Sequence, residues 1–306
     1  MIKSVLITGA NAGLGKECAR QLGTQPETTK VYLGCRNPER AEAAKLELEE
    51  TTGRKVFEII IVDVSSPDSV RAAVEAIPEP IDALVMNAGG MGGTDPGQLT
   101  ESGAIQLFAT NLLGHTILLE ELLAAKKLTQ VALFAGTEAA RGIPKMRMKR
   151  PTLETSSVDD FVSICDGTFF PQPVEAMVAY GPVKYMSAMC MAAIARKHPE
   201  IRVITVSPGG TDGTEVMNDL PPLTKFFFTH VGLRILPLLG MMHDLDVGAK
   251  RYVDALNDKA YTTGAFYGSA ENLLTGPMID QATIFEDLNN EAFQDNAYEA
   301  VHRFIS

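Results

Sequence analysis

S-V-L-I-T-G-A-N-A-G-L-G, residues 4–15, is the stretch on which the fold turns. The β-branched and aliphatic run at 4–7 reads as a short strand. It breaks into the octet Thr8-Gly9-Ala10-Asn11-Ala12-Gly13-Leu14-Gly15, and helix formers follow at 16–22. Gly9 permits a tight turn that a side chain would obstruct. Gly13 and Gly15 let backbone and helix approach a ligand, and Asn11, Ala12 and Leu14 complete the loop. Free N–H groups and the dipole at the new helix's start favour a phosphate there. The spacing is G-x-x-x-G-x-G, not the common G-x-G-x-x-G, so the octet alone also fits a plain surface turn.

Working outward, strand-like runs at 31–34, 56–62, 81–86, 130–135, 202–206 and about 265–267 alternate with helical patterns. The helical patterns cover 38–52, 67 to about 77, 101–127, 180–197, 244–257 and 289–304. Pro38 and Gly53 suit the first turn and the stop of the second helix. Strict β/α alternation predicts an α/β fold, a doubly wound parallel sheet with helices on both faces, as a single domain over 1–306. Two stretches interrupt the pattern. Residues 138–177, with Pro144, Pro151, Pro171 and Pro173, read as a mostly irregular insert. Residues 212–242 read as a lid-like segment, apolar over 223–242.

Composition sets outer limits. Of 306 residues, 45% are apolar, enough for a sizeable core. A net charge of −11 without a long basic face argues against a nucleic-acid partner. Cys18, Cys35, Cys165 and Cys190 are widely spaced, which suits buried free thiols in a reducing cytoplasm. The glycine turn comes too early for a signal peptide. Lys225, His230, Arg234 and Pro237 argue against a membrane span over 223–242. The basic run Lys145, Arg147, Lys149, Arg150 reads as a solvated loop, with peripheral surface contact the lesser alternative. Met186, Met189 and Met191 read as core. The five histidines show no metal-ligand spacing, so no metal is expected.

In a doubly wound sheet, ligands lie beyond the carboxyl ends of the strands. Here those ends are the glycine turn, Cys35-Arg36-Asn37, Asp63-Val64, Asn87-Ala88-Gly89, Gly136-Thr137 and Ser207-Pro208-Gly209-Gly210-Thr211. Each becomes small or polar where a cofactor would lie. Arg36 takes the place of an acid that would bind the ribose 2′-hydroxyl of NAD. A guanidinium there can hold a 2′-phosphate, which favours NADP(H). Tyr180 and Lys184 form Y-x-x-x-K, one turn apart on a single helix face. A nearby ammonium favours the phenolate and lowers the tyrosine pKa, fitting the pair for general acid–base work on a carbonyl. Asn111 is an unfavourable residue inside a helix. A backbone or water contact completing a proton path from Lys184 would explain it.

Taken in order, T-G-A-N-A-G-L-G at 8–15, D-V at 63–64, N-A-G at 87–89, N-L-L-G-H from Asn111, Y-x-x-x-K at 180–184 and P-G at 208–209 resemble the short-chain dehydrogenase/reductase family. The resemblance covers nearly the whole chain. It implies a Rossmann-like sheet, a bound nicotinamide cofactor and hydride transfer. On that resemblance Tyr180 is the proton donor, Lys184 binds the nicotinamide ribose and tunes Tyr180, and Asn111 supports the relay. The resemblance also implies that Thr211 and Thr214 would lie near the carboxamide and diphosphate. G-C-R-N at 34–37, G-H at 114–115, I-C-D-G at 164–167 and P-G-G-T-D-G-T at 208–214 look most like the retinol dehydrogenase and protochlorophyllide reductase branch. Two departures stand out. Ala135-Gly136-Thr137 occupies the place of the substrate-orienting serine, so the expected hydroxyl is that of Thr137, shifted by about one position; otherwise carbonyl polarisation falls to Tyr180 alone or to a residue of the insert such as Ser156 or Ser157. Met86 stands where the protochlorophyllide enzymes carry a cysteine, which counts against photochemistry.

The expectation is an NADP(H)-dependent oxidoreductase for the carbonyl/alcohol pair of a fairly apolar small molecule, with homo-oligomers common in the family. A nucleotide-binding sensor or scaffold without catalysis, and a carbon–carbon double-bond reductase, are the alternatives.

Overall fold

The computed structural model describes residues 1–144, 148–211 and 242–305. In it β1 (Ser4–Thr8) runs through the glycine turn into α1 (Gly13–Gly23). β2 (Lys30–Cys35), α2 (Pro38–Thr52), β3 (Phe57–Ile61), α3 (Pro67–Ala76), β4 (Ile81–Met86), α4 (Gln106–Ala124) and β5 (Leu128–Ala135) continue the alternation. After α5 (Val158–Asp166) come α6 (Ala176–Lys197), β6 (Arg202–Val206), α7 (Leu245–Asn257), β7 (Phe266–Ser269), β8 (Met278–Asp280) and α8 (Glu291–His302). The sheet order is β3-β2-β1-β4-β5-β6-β7-β8. Seven strands are parallel, and β8 adds an antiparallel edge to β7. Strand order reverses between β1 and β4, which opens a crevice above their carboxyl ends.

The strands are apolar because both faces are covered. Leu6 joins the core beneath α3, α4 and α6, while its neighbours Val5 and Ile7 join the opposite core beneath α1 and α7. This is the two-residue period of a strand. Fully burying such a side chain contributes about 1.5–3 kcal/mol. Cys18, Cys35, Cys165 and Cys190 are free and buried, and Met186, Met189 and Met191 are core residues, as expected. α4 is long and apolar enough to cross a membrane, but here it is a largely buried core helix on the sheet.

Two expectations need correction. The helical pattern at 101–127 starts only at Gln106, because Leu99 and Ile105 pair in an antiparallel bridge and the Ile105 amide donates to Cys165 O (2.8 Å). The helix then widens into a π turn over Ala109–Leu113, which contains Asn111. The stretch 138–177 is more ordered than expected. It holds a one-turn 3-10 helix, Glu138–Arg141, and α5, whose start is fixed by a capping box between Ser157 and Asp160. Arg150 is an exposed loop residue, as expected of the basic run, but its guanidinium is tied back to the fold. It donates to Arg141 O and Ile284 O (both 3.2 Å) and lies over the Phe285 ring. Lys145 and Arg147, like residues 212–241 of the lid-like stretch 212–242, lie outside the described residues.

Candidate functional site

The turn after β1 is built to leave amides free. No side chain caps α1 at Ala12, and no acid sits in its first turn. Its first N–H groups therefore remain available to an anion. Gly9 (φ +68°) and Gly13 (φ +50°) occupy the left-handed region that favours glycine. Gly15 corrects an expectation. A Cβ there would stand 2.4 Å from Gly9 O and 2.6 Å from the Asn87 side-chain nitrogen. Its role is to let α1 close against its own turn, and it does not line the cavity.

The carboxyl ends of β1 and β4 are tied together. Thr8 Oγ1 accepts the amides of Asn87 and Ala88 (2.9 Å each) and lies 3.0 Å from His115 Nε2, and Asn87 Nδ2 donates to Thr8 O (2.9 Å). Burial, helped by nearby Lys184, pushes the His115 pKa down to about 3, so the ring is neutral. With its lone pairs taken by two amides, Thr8 has one hydroxyl proton, which faces the imidazole (3.0 Å) and the Val85 carbonyl (3.4 Å). Gly114 lets α4 come this close, since a Cβ would sit 1.6 Å from Val64 O.

These ends open on a cavity of about 920 Å³. Gly9, Asn11, Ala12, Gly13 and Leu14 line its β1 side. Arg36, Asp63 and Val64 line the β2–β3 side, with Asn87, Ala88 and Gly89 beside them. Asn111, Thr137, Tyr180, Lys184, Pro208, Gly209 and Thr211 line the other side. Thr214 lies outside the described residues. Positions scattered from 9 to 211 in sequence therefore line one cavity. At the glycine end, the Arg36 side chain is 76% exposed and 3.9 Å from Asp63, so its guanidinium is free to turn towards a ligand.

At the opposite end, Lys184 Nζ donates to Ala135 O (3.1 Å) and lies over the rings of Phe134 and Tyr180. Gly181 allows this helix to approach the 138–141 turn, because a Cβ would meet Ala139 O at 3.1 Å. Asn111 Nδ2 donates to Gly90 O (2.8 Å) and Leu107 O (2.9 Å), and its Oδ1 accepts from Gly90 N (3.3 Å). Asn111 thus holds the loop after β4. Its in-helix placement is explained by the π turn and these backbone partners.

The Tyr180–Lys184 electrostatics depart from expectation. Burial, then the carboxylate of Glu138, pushes the Tyr180 phenol up to about 12. Burial pulls Lys184 down to about 7. Desolvation outweighs the expected stabilisation of a phenolate by an ammonium. The protein holds Tyr180 as a protonated donor.

Thr137 lines the cavity, and its hydroxyl accepts from Ala139 N (3.3 Å). Neither Ser156 nor Ser157 lines it. Ser157 is committed to capping α5. Gly136, where the family's pattern is broken, is forced by packing, since a Cβ would lie 2.7 Å from the Phe266 ring and 2.8 Å from Thr205. Thr211 donates within its own turn, to Pro208 O and Gly209 O (3.2 Å each).

Sequence reasoning missed Arg40. It sits in the first turn of α2 and lines the cavity beside Arg36, a second cation for the same anion. The signal was present in C-R-N-P-E-R at 35–40, where the Asn37 cap brings position 40 back over the strand end (Arg40 N to Asn37 Oδ1, 2.8 Å). Asp95, Gln98, Gln106 and Thr110 also line the cavity and were missed, since their loop and helix start carry no motif.

A family model described as short chain dehydrogenase matches residues 3–131. Dehydrogenase/reductase SDR family member 12 of Bos taurus is 28% identical over 236 residues, 76% of this chain and 67% of that protein. Retinol dehydrogenase 11 of Homo sapiens is 35% identical over 128 residues, covering 41% of this chain and only 39% of its own length. Among solved structures, a short chain dehydrogenase from Burkholderia cenocepacia J2315 in complex with NADP superposes with a TM-score of 0.60 at 21% identity, over 86% of this chain and 94% of that one.

Proposed function

We propose that the chain, which resembles the short-chain dehydrogenase/reductase family and most of all its retinol dehydrogenase branch, is an NADP(H)-dependent oxidoreductase acting on a carbonyl/alcohol pair. One observation carries the reading. Thr137, Tyr180 and Lys184 reach the same cavity as the uncapped start of α1.

The residues present fit a dinucleotide. The α1 amides and the glycine cradle suit a diphosphate. Arg36 and Arg40 suit a 2′-phosphate, which supports NADP(H) over NAD(H). When bound, the cofactor supplies or accepts a hydride. Tyr180, held protonated by burial, gives its proton to the substrate oxygen in reduction and takes it back in oxidation. The hydroxyl of Thr137 orients and polarises that oxygen. Lys184 donates to the ribose hydroxyls and passes a proton towards Tyr180. Asn111 fixes the adjoining loop and the relay around it. The names of the retinol dehydrogenases support a largely apolar substrate. Asp95, Gln98, Gln106 and Thr110 supply a polar margin that would meet a hydroxyl or amide on it.

The test is consumption of NADPH, and separately NADH, with a panel of aldehydes, ketones and enones, and product identification by mass and NMR. NADPH-dependent alcohol formation that is lost in Tyr180→Phe is the expected result. Tight NADPH binding with no turnover across the panel would contradict it in favour of a sensor or scaffold. Saturation of an enone's carbon–carbon bond would contradict it in favour of double-bond reduction.

A further inference from the structure

The residue after Thr137 is a buried glutamate, only 2% exposed, which the catalytic scheme above does not use. Glu138 Oε2 accepts from Ser207 Oγ (2.5 Å), and Oε1 accepts from Ser269 N (2.9 Å). Ser207 Oγ in turn accepts from Gly209 N (3.0 Å), the amide at the head of the Pro208-Gly209 turn. Arg251 closes the circuit from α7. Its Nη1 is 3.8 Å from Glu138 Oε1 and donates to Ser207 O (3.3 Å), while Nη2 donates to Ser269 Oγ (3.1 Å) and Gly276 O (2.7 Å). One carboxylate therefore joins the ends of β5, β6 and β7 just behind the cavity wall. Thr137 and Pro208-Gly209, on the wall itself, are its immediate neighbours in the chain and in this circuit.

We propose that Glu138 is a positioning residue for the reaction, holding the Thr137 hydroxyl and the Pro208-Gly209 turn in one fixed relation across the nicotinamide end of the cavity. The inference rests on the oxidoreductase reading above. A neutral side chain could fill the same space. A buried carboxylate matched to two donors and a guanidinium fixes direction as well as distance. Its field has a second consequence. The charged and titratable groups around it are Arg141 in its own turn, Tyr180 on α6, His243 before α7, and Arg251 and Tyr252 on α7. For Tyr180 the carboxylate adds to burial in keeping the phenol protonated.

The test compares wild type, Glu138→Gln and Tyr180→Phe with NADPH as cofactor and nonanal as carbonyl probe. Three readouts are used: NADPH dissociation by fluorescence titration, kcat and KM for nonanal, and the pH profile of reduction. Glu138→Gln should lower kcat by about tenfold or more, with KM for nonanal little changed. It should weaken NADPH severalfold. Its basic limb should move to lower pH by at least about half a unit, because a phenol without the carboxylate loses its proton earlier. Wild-type kcat, profile and NADPH affinity in Glu138→Gln, alongside an inactive Tyr180→Phe, would overturn the inference and leave the oxidoreductase reading intact. A fully active Tyr180→Phe, or no turnover in any protein, would overturn that reading. NADPH affinity then decides the inference alone, and an unchanged value in Glu138→Gln overturns it. If Glu138→Gln fails to fold by circular dichroism, Ser207→Ala cuts the same link without removing a charge. It should weaken NADPH and lower kcat without moving the basic limb, and wild-type values for both would overturn the inference.

Discussion

At the β1–β3 end of the cavity the binding groups are backbone amides and exposed guanidiniums. At the β5–β7 end they are the half-buried Tyr180 and the buried Lys184, whose protonation burial has shifted, backed by Glu138 in a hydrogen-bonded circuit behind the wall. The first end asks little of side chains beyond their absence: Gly9 and Gly13 supply conformation, and Gly15 supplies closeness. The second asks for particular atoms at particular places, delivered from three strands and two helices. A site that binds a common anion can be made of backbone. A site that moves a proton needs titratable groups taken out of water.

The comparison would break first at Tyr180. Tyr180→Phe removes the proton donor and keeps the ring, so kcat for nonanal reduction should fall by about 10²–10⁴-fold, with NADPH affinity by fluorescence titration nearly unchanged. A matching loss of NADPH affinity would mean that the two ends are not separable. Next in size is Arg36→Ala, expected to weaken NADPH by about tenfold to a hundredfold, the worth of charged hydrogen bonds, while leaving NADH alone. Equal weakening of both would remove the argument for a 2′-phosphate. Gly15→Ala should act through the fold rather than through contact with ligand. Its Cβ would stand 2.4 Å from Gly9 O, and the strain should cost about 1–3 kcal/mol, read as a lower Tm of the ligand-free protein. The smallest effect is a pH dependence. Lys184 titrates near pH 7, so it is an ammonium below that value and neutral above it, and NADPH affinity should decline as pH rises through about 7. Lys184→Met should give a flat profile across the same range. A slope surviving in that variant would assign it elsewhere.

The same contrast explains what could be read in the sequence. The phosphate end was legible because a strand, a glycine spacing and a helix are contiguous, and Arg36 follows at the next strand end. Arg40 was hidden only by the need to see that the Asn37 cap folds position 40 back over the site. The sheet was legible from its apolar runs, except for β8, which is three residues long with no fully buried position. The far end was legible only in part. Tyr180 and Lys184 stand out at helical spacing, but their charge states depend on burial by segments distant in sequence. The π turn at Asn111 breaks no pattern in residue type, since apolar neighbours continue on both sides. Glu138 opens the stretch read as irregular and carries no motif; its role depends on Ser207, Ser269 and Arg251, all distant in sequence.

The most direct test of the account is reduction of nonanal with C4-deuterated NADPH, followed by mass and NMR analysis of the alcohol. Wild-type protein should place deuterium on the carbinol carbon, and Tyr180→Phe should form little or none of that product while still binding NADPH. An alcohol without deuterium, or labelled alcohol formed equally well by Tyr180→Phe, would contradict hydride transfer coupled to a proton from Tyr180.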